Sequence, residues 1–240
     1  KNHIAMACAI GSNAPHYRIS HFEKHPRYWM ENALQVQANS DIGLTFSAAL
    51  RSMLRHDPDI MLIGEIRDRE TADIAVRSAL TGHLVFASLH TNDAAGAVAR
   101  LCDIGIEPYL LASSIRGILA QRLVRRVCRH CRRELRSEQI GQLTDSLPEY
   151  CRPPHGARLW AGTGCQNCRF TGFSGRTAVG EILMVTPDIR RLVHDASPAD
   201  AIRAKARAEG MISMLDSAMA ATLAGDTTIR EVLRVTHGDF

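Results

Sequence analysis

An α/β fold built on a parallel sheet is what this sequence predicts, and three observations predict it. Residues 57–68 read D-P-D-I-M-L-I-G-E-I-R-D, a four-residue apolar run with acids at both ends, the length of a buried strand and too short for a helix. Residues 81–92 read T-G-H-L-V-F-A-S-L-H-T-N and offer a second strand over 84–89. Between them, 68–80 spaces Ile74, Val76 and Ala79 among charged residues, puts Glu70 in a first turn and stops at Gly82, so strand, helix and strand follow in order.

Strand direction decides which residues meet a ligand. Ligands of open parallel sheets bind at the carboxyl edge. The first strand ends there in Gly64 and Glu65, and the second presents His90. A carboxylate and an imidazole on neighbouring strand ends suit work on a Mg-bound phosphate. Taken singly, Glu65 reads better as a solvated loop acid and His90 as a capping residue. Two such groups at matching strand ends favour the functional reading.

The remaining elements follow in order. Residues 45–55 place Phe46, Ala49, Leu50, Met53 and Leu54 on one helical face. Two further helices are expected: Ala94 to Asp103, ended by Gly105, and a long amphipathic stretch over 110–127. Residues 128–185 have poor periodicity until a strand at 177–183. From 186 the chain becomes helical: Thr186-Pro187 and Ser197-Pro198 each set an N-cap before proline, Gly210 and Gly225 stop two helices, and Thr228 with Glu231 forms a capping box. Three parts result, 1–127, 128–185 and 186–240, with no internal repeat.

Composition bounds the class. At 240 residues, 45% apolar and 22% charged, the chain is long enough for one large or two smaller cores. No stretch approaches the roughly 18 to 20 apolar residues of a membrane span, and the N-terminus lacks the layout of a signal peptide, so a cytoplasmic address is expected. The net charge of +4 is modest, and only Lys1, Lys24 and Lys205 are lysines, so a nucleic-acid partner is not demanded.

Four of the seven cysteines are patterned. Cys128-Arg129-His130-Cys131 and Cys165-Gln166-Asn167-Cys168 are two C-x-x-C knuckles flanking a Pro- and Gly-rich interval, and four such thiolates make a closed tetrahedral zinc site. The redox alternative needs a C-x-x-C at a helix start after a strand, whereas 125–133 reads as the basic tail of a helix. Cys151 lacks a partner two residues on, and Cys8 and Cys102 read as core. The cluster Arg125, Arg126, Arg129, Arg132 and Arg133 has no interleaved aromatics for base stacking, which favours an acidic protein surface or lipid headgroups as its partner. Arg51 and Arg55, ahead of the first strand, could reach phosphates across a subunit boundary, with a solvated helix face as the plainer reading.

These residues resemble the secretion and pilus-assembly ATPases of type II secretion and type IV pili. Residues 57–68 look like that family's Walker B segment, 89–92 like its histidine box, and L-V-R-R-V-C at 123–128 like the run into its zinc module. Q-V-Q-A-N at 35–39 and G-L-T-F-S-A-A-L-R-S at 43–52 extend the likeness, which is dense over about 35–131 and continues to 240 in pattern. The resemblance implies a RecA-like P-loop core with an inserted zinc module and a C-terminal helical subdomain. It implies ATP, Mg²⁺ and Zn²⁺ as cofactors, a homo-hexamer, and inner-membrane assembly platform proteins as partners at the cytoplasmic face of the inner membrane.

By matched position, Glu65 would serve Mg and the attacking water, Glu23 would be the base, His90 would sense the γ-phosphate and Lys1 would lie on the β- and γ-phosphates. Asp59 in the Walker B-like segment, with Arg51 and Arg55, completes the nucleotide-side set. Two departures stand out. The acidic box, usually E-D-P-V-E-Y, reads E-K-H-P-R-Y at 23–28, and the glycines that should precede Lys1 are absent, with Asn2 where a Ser or Thr would bind Mg. The expectation is the back half of a motor subunit, a fragment or a decayed copy, inactive by itself. A non-catalytic zinc-bearing module that docks on motor partners or nucleic acid is the alternative.

Overall fold

The structure is a computed structural model that describes residues 17–23, 29, 33–39, 42–145, 149, 152–154 and 156–236. The chain separates into two compact units, one within Lys1–Ile118 and Met184–Ala206, the other within Leu119–Leu183 and Arg207–Phe240.

The first unit is a four-stranded parallel sheet with helices. Its strands are β1 (Ile19–Glu23), β2 (Ala33–Gln37), β3 (Ile60–Ile63) and β4 (Leu84–Ala87), in the order β2-β1-β3-β4. All four residues of β3 are buried, as a run of Ile, Met, Leu and Ile requires of a strand covered on both faces. Registers pair Ile19 with Ile60 and Ile60 with Leu84, so the carboxyl ends of β1, β3 and β4 arrive together. Helix α1 (Phe46–Leu54) buries Ala49, Leu50 and Met53 and sets Phe46 edge-on against Phe22, ring centroids 4.4 Å apart. Its cap is Thr45, whose hydroxyl accepts from the Ala48 N–H at 3.2 Å.

Helix α2 (Arg69–Leu80) begins at Asp68, which accepts from the Thr71 N–H at 2.8 Å, and runs out at Gly82, whose φ of +106° suits only glycine. Helix α3 (Ala94–Asp103) is capped by Asp93 through the Gly96 N–H at 2.6 Å. Helix α4 (Pro108–Ser114) packs against α6 (Pro187–His194), and α7 (Ala199–Ala208) follows. Thr186 caps α6 ahead of proline, as its sequence predicts.

The expected helix over 110–127 is a correction. It stops at Ser114, Ile115 turns extended, and 117–127 becomes strand β5 (Gly117–Val127), paired with β8 (Phe173–Met184). The apolar residues there satisfy a helical stripe and a strand face alike, and pairing with β8 decides between them. Arg125 and Arg126 therefore lie on a strand, not on a helix tail.

The second unit joins this ribbon to a smaller antiparallel pair, β6 (Arg132–Glu134) with β7 (Trp160–Gly162), and to helices α5 (Ser137–Thr144), α8 (Met214–Leu223) and α9 (Ile229–Thr236). Residues 119–127 thus keep company with the cysteine segment, and the helical tail is shared between the two units. These units do not coincide with the three-part division. The Val127 N–H donates to the Asp226 carbonyl at 2.9 Å and the Thr227 hydroxyl to the Arg125 carbonyl at 2.9 Å, which ties the end of the tail to β5.

Glu231 supplies the strongest polar link in this unit. Its side chain is only 1% exposed, yet it meets the guanidiniums of Arg125 at 2.5 Å and Arg234 at 2.9 Å, and accepts from the Arg125 N–H at 3.1 Å. The Thr228 hydroxyl accepts from the Glu231 N–H at 3.3 Å, one half of the predicted capping box, while the Glu231 carboxylate is spent on the arginines. Burial pushes this carboxyl up, but the bonds from Arg234 and Arg125 outweigh it and bring it down to about 2. A depressed folded-state value means that the stabilisation is full above the unfolded value near 4.5 and is lost as pH falls toward 2. Glu231→Ala, which leaves two arginines without their buried acid, should cost about 3 kcal/mol in denaturant unfolding at pH 7 and remove much of the acid sensitivity below pH 4.5.

Candidate functional site

The carboxyl edge of the sheet gathers the candidate site. Glu23 is the last residue of β1, Gly64 and Glu65 follow β3, and Ser88 to His90 follow β4. Loops after neighbouring strands are laced together: the Ile66 N–H donates to the Ser88 carbonyl at 2.9 Å and the Ser88 hydroxyl to the Gly64 carbonyl. Gly64 lets β3 close up on β1. Its N–H donates to the Phe22 carbonyl at 2.7 Å, and a Cβ there would come within 3.1 Å of both that oxygen and the Glu23 Cγ.

Glu65 and His90, which the sequence placed on matching strand ends, are in contact. His90 Nε2 lies 3.3 Å from Glu65 Oε2, and the Arg67 Nε lies 2.7 Å from the same oxygen. The Glu65 side chain is 17% exposed and His90 70%. Burial pushes the Glu65 carboxyl up, but hydrogen bonds from Arg67 and His90 prevail and hold it below its ordinary value. An ionised carboxylate and an accessible imidazole are what a Mg-bound phosphate needs. Arg67 pairs with Glu65 rather than with Asp68, which is occupied as the cap of α2.

Other predicted residues lie elsewhere. Asp59 precedes β3 and so stands at the amino edge of the sheet, where it accepts from the Arg18 N–H at 2.7 Å; four residues of strand separate it from Gly64. Arg51 ion-pairs with Glu70 of α2, and Arg55 is the exposed C-cap of α1; neither is joined to Glu65 or His90 by a contact within this chain. Lys1 and Asn2 lie outside the described residues.

Three contributors at this edge escaped the sequence. Ser88 ties the β4 loop to Gly64. Asp93, just past His90, is gripped by Arg203 of α7 while capping α3. His21, on β1 two residues before Glu23, is 1% exposed. Strand alternation puts His21 and Glu23 on one face, the signal that was available.

The four patterned cysteines converge in the second unit. All four Sγ atoms lie within 4.8 Å of one another, with separations of 3.9 Å for Cys128–Cys165, 3.8 Å for Cys131–Cys168 and 3.8 Å for Cys165–Cys168. Four sulfurs about 2.3 Å from a central zinc stand about 3.8 Å apart along a tetrahedron's edges, so the donor set fits that ion. Backbone N–H groups point at the sulfurs: Gly164 to Cys131 at 3.3 Å, Cys165 to Cys168 at 3.2 Å and Gly172 to Cys168 at 3.3 Å. Arg169 and Phe170 follow the second knuckle with φ of +50° and +60°, the left-handed turn that brings the chain back over its own thiols.

The thiols share charge unevenly. Burial pushes Cys168 up, but the N–H groups of Cys165 and Gly172 and the neighbouring thiols bring it down to about 6, while burial raises Cys165 to about 11. Gly162 and Gly172 cross so closely that a Cβ on Gly162 would fall 2.1 Å from the Gly172 carbonyl oxygen. The arginine cluster beside the thiols is not bare of aromatics: Arg132 lies over the Trp160 ring at 4.7 Å and Arg125 over Phe173 at 4.1 Å, rings that the fold brings in from a distance.

Comparison with known proteins places these features in company. The family model described as Type II/IV secretion system protein matches residues 8–234. The type II secretion system protein HxcR of Pseudomonas aeruginosa is 49% identical over 210 residues, which covers 88% of this chain and 40% of that protein. The type IV pilus assembly ATPase PilB of Thermus thermophilus is 47% identical over 204 residues, 84% of this chain and 22% of PilB. The chain thus spans less than half the length of these curated relatives. Among solved structures, the pilus retraction motor PilT with bound ADP superposes with a TM-score of 0.64 at 24% identity, over 97% of this chain and 56% of that one. The Legionella pneumophila ATPase DotB gives 0.63 at 19% identity, over 92% and 52%. At such identities the likeness is one of fold: a parallel sheet with helices.

Proposed function

The chain belongs to the type II/IV secretion system protein family, and from that membership and the sheet edge we propose that it carries the Walker B and histidine-box half of a motor's ATP site. The carrying observation is the contact of Glu65 with His90, 3.3 Å apart on the carboxyl edge. Glu65, held ionised, would help hold Mg²⁺ and would orient the attacking water. His90 reaches the terminal phosphate from the neighbouring strand. Glu23 at the end of β1 takes the proton of that water. Mg²⁺, when bound, neutralises charge that develops on the transferred phosphoryl group.

The four thiols would hold Zn²⁺ as a structural ion with no open position, since each sulfur is already matched to a corner. In this reading the motor is a homo-hexamer at the inner face of the cytoplasmic membrane, recruited by polytopic assembly proteins. Among the described residues no helix is long and apolar enough to cross a membrane. The arginine rim at 125–133 is the face offered to them.

The test is to measure nucleotide binding, assembly and turnover together in protein that carries a glycine-rich phosphate loop ahead of Lys1. The expected result is ATP binding that requires the loop, and turnover that rises with protein concentration as subunits assemble. Tight ATP binding without turnover at any concentration would favour the alternative, a zinc-bearing module that docks on motor partners, to which the altered acidic box E-K-H-P-R-Y lends support.

A further inference from the structure

His21 is a buried titratable side chain that the proposed chemistry leaves unused. It sits on β1, the strand flanked by β2 and β3, and registers with Gln35 on one side and Leu62 on the other. Beneath it lies an apolar cluster of Ile19, Ile60 and Leu62 with Ala33 and Phe86 packed against it. An imidazole in such a wall needs partners for both nitrogens. Gln35 Nε2 stands 2.9 Å from His21 Nδ1. His21 Nε2 lies 3.3 Å from Glu23 Oε2, buried and off the line of a hydrogen bond.

We propose that His21 is a positioning residue for Glu23: Gln35 donates to Nδ1, which leaves the proton on Nε2, and that N–H steers the Glu23 carboxylate at the sheet edge. The inference rests on the reading of Glu23 as the base. The bond a ring nitrogen makes fixes the tautomer of the other, so Gln35 on the neighbouring strand chooses where the proton goes. A small turn of the Glu23 carboxylate completes the bond that the present geometry leaves open. Burial lowers the His21 value and Glu23 opposes this less strongly, so the ring is neutral near pH 7. A neutral donor suits the task, because it aims a carboxylate without the loss of basicity that a cation 3.3 Å away would bring.

The experiment is ¹⁵N NMR of the His21 imidazole in this chain without nucleotide, joined to the carboxyl-carbon chemical shift of Glu23 at neutral pH. The expected result is the Nε2–H tautomer, released to a mixture by Gln35→Leu. His21→Phe, which keeps a ring but no donor, should shift the Glu23 carboxyl-carbon resonance, and His21→Gln, with an amide N–H where Nε2 was, should restore it. An Nδ1–H tautomer, or a Glu23 carboxyl-carbon shift alike in folded Phe and Gln variants, would overturn the proposal. In protein that carries a phosphate loop ahead of Lys1, His21→Phe should lower kcat about tenfold at unchanged KM for ATP, and His21→Gln should recover it. If the NMR results hold and kcat does not move, Glu23 is not the base and the fault lies in that reading.

Discussion

Glu65→Gln should lower ATP turnover by roughly 10² to 10⁴, measured at saturating ATP in protein that carries a phosphate loop ahead of Lys1. Gln keeps the size of the side chain and an oxygen for a hydrogen bond, so the lost item is charge. That charge is present at neutral pH because Arg67 and His90 hold the carboxyl below its ordinary value. Thermal unfolding should change little, since the side chain is an edge group and the strands below it are packed by Ile60, Met61, Leu62 and Ile63. Nucleotide binding should largely remain, with the loss confined to kcat, because the group acts on the water and metal rather than on the bulk of the nucleotide. Turnover undiminished in the Gln variant would remove Glu65 from the mechanism and leave His90 without its partner.

The parts of this design that could be read from residues are those governed by local rules. Thr45, Asp68, Asp93 and Thr186 are short polar residues ahead of apolar periodicity, and each caps the helix expected of it. The four-residue run 60–63 could only be a buried strand. What failed depended on distant chain. Residues 117–127 satisfy a helical stripe and a strand face equally, and β8, some fifty residues on, settles the matter. Arg132 gains an aromatic neighbour only when β6 meets β7 and brings Trp160 alongside.

Asp59 is a different case. The run 57–68 has acids at both ends, and the direction argument that picks Glu65 for the carboxyl edge also sends Asp59 to the amino edge. Segment resemblance obscured a geometric statement that the strand had already made. His21 was legible in principle, two residues from Glu23 on one face, but a histidine within an apolar strand reads as core until its neighbours Gln35 and Glu23 are in place.

Cys128→Ser should abolish stoichiometric zinc and unfold the segment around 128–175, the largest structural effect expected from a single replacement in the second unit. Buried apolar side chains are few among the described residues of that stretch: Cys128, Leu159 and Cys168. Two three-residue strands, β6 and β7, cannot hold a fold by themselves. The thiols hold the chain together instead. Cys128 is bonded through its N–H to the Gly172 carbonyl at 2.9 Å and Thr163 through its N–H to the Cys131 carbonyl at 3.1 Å, so each knuckle is tied to the backbone of the other. Zinc at such sites contributes about 10 to 16 kcal/mol of apparent binding energy at neutral pH, which here is folding energy. Metal analysis with thiol titration should therefore show one zinc per chain in the parent and none in Cys128→Ser. Amide exchange should show protection lost over 128–175 and kept in β3 and α2, which belong to the other unit. Full zinc occupancy in the serine variant would break the assignment of Cys128, and retained protection without metal would show that the knuckles fold on hydrogen bonds alone.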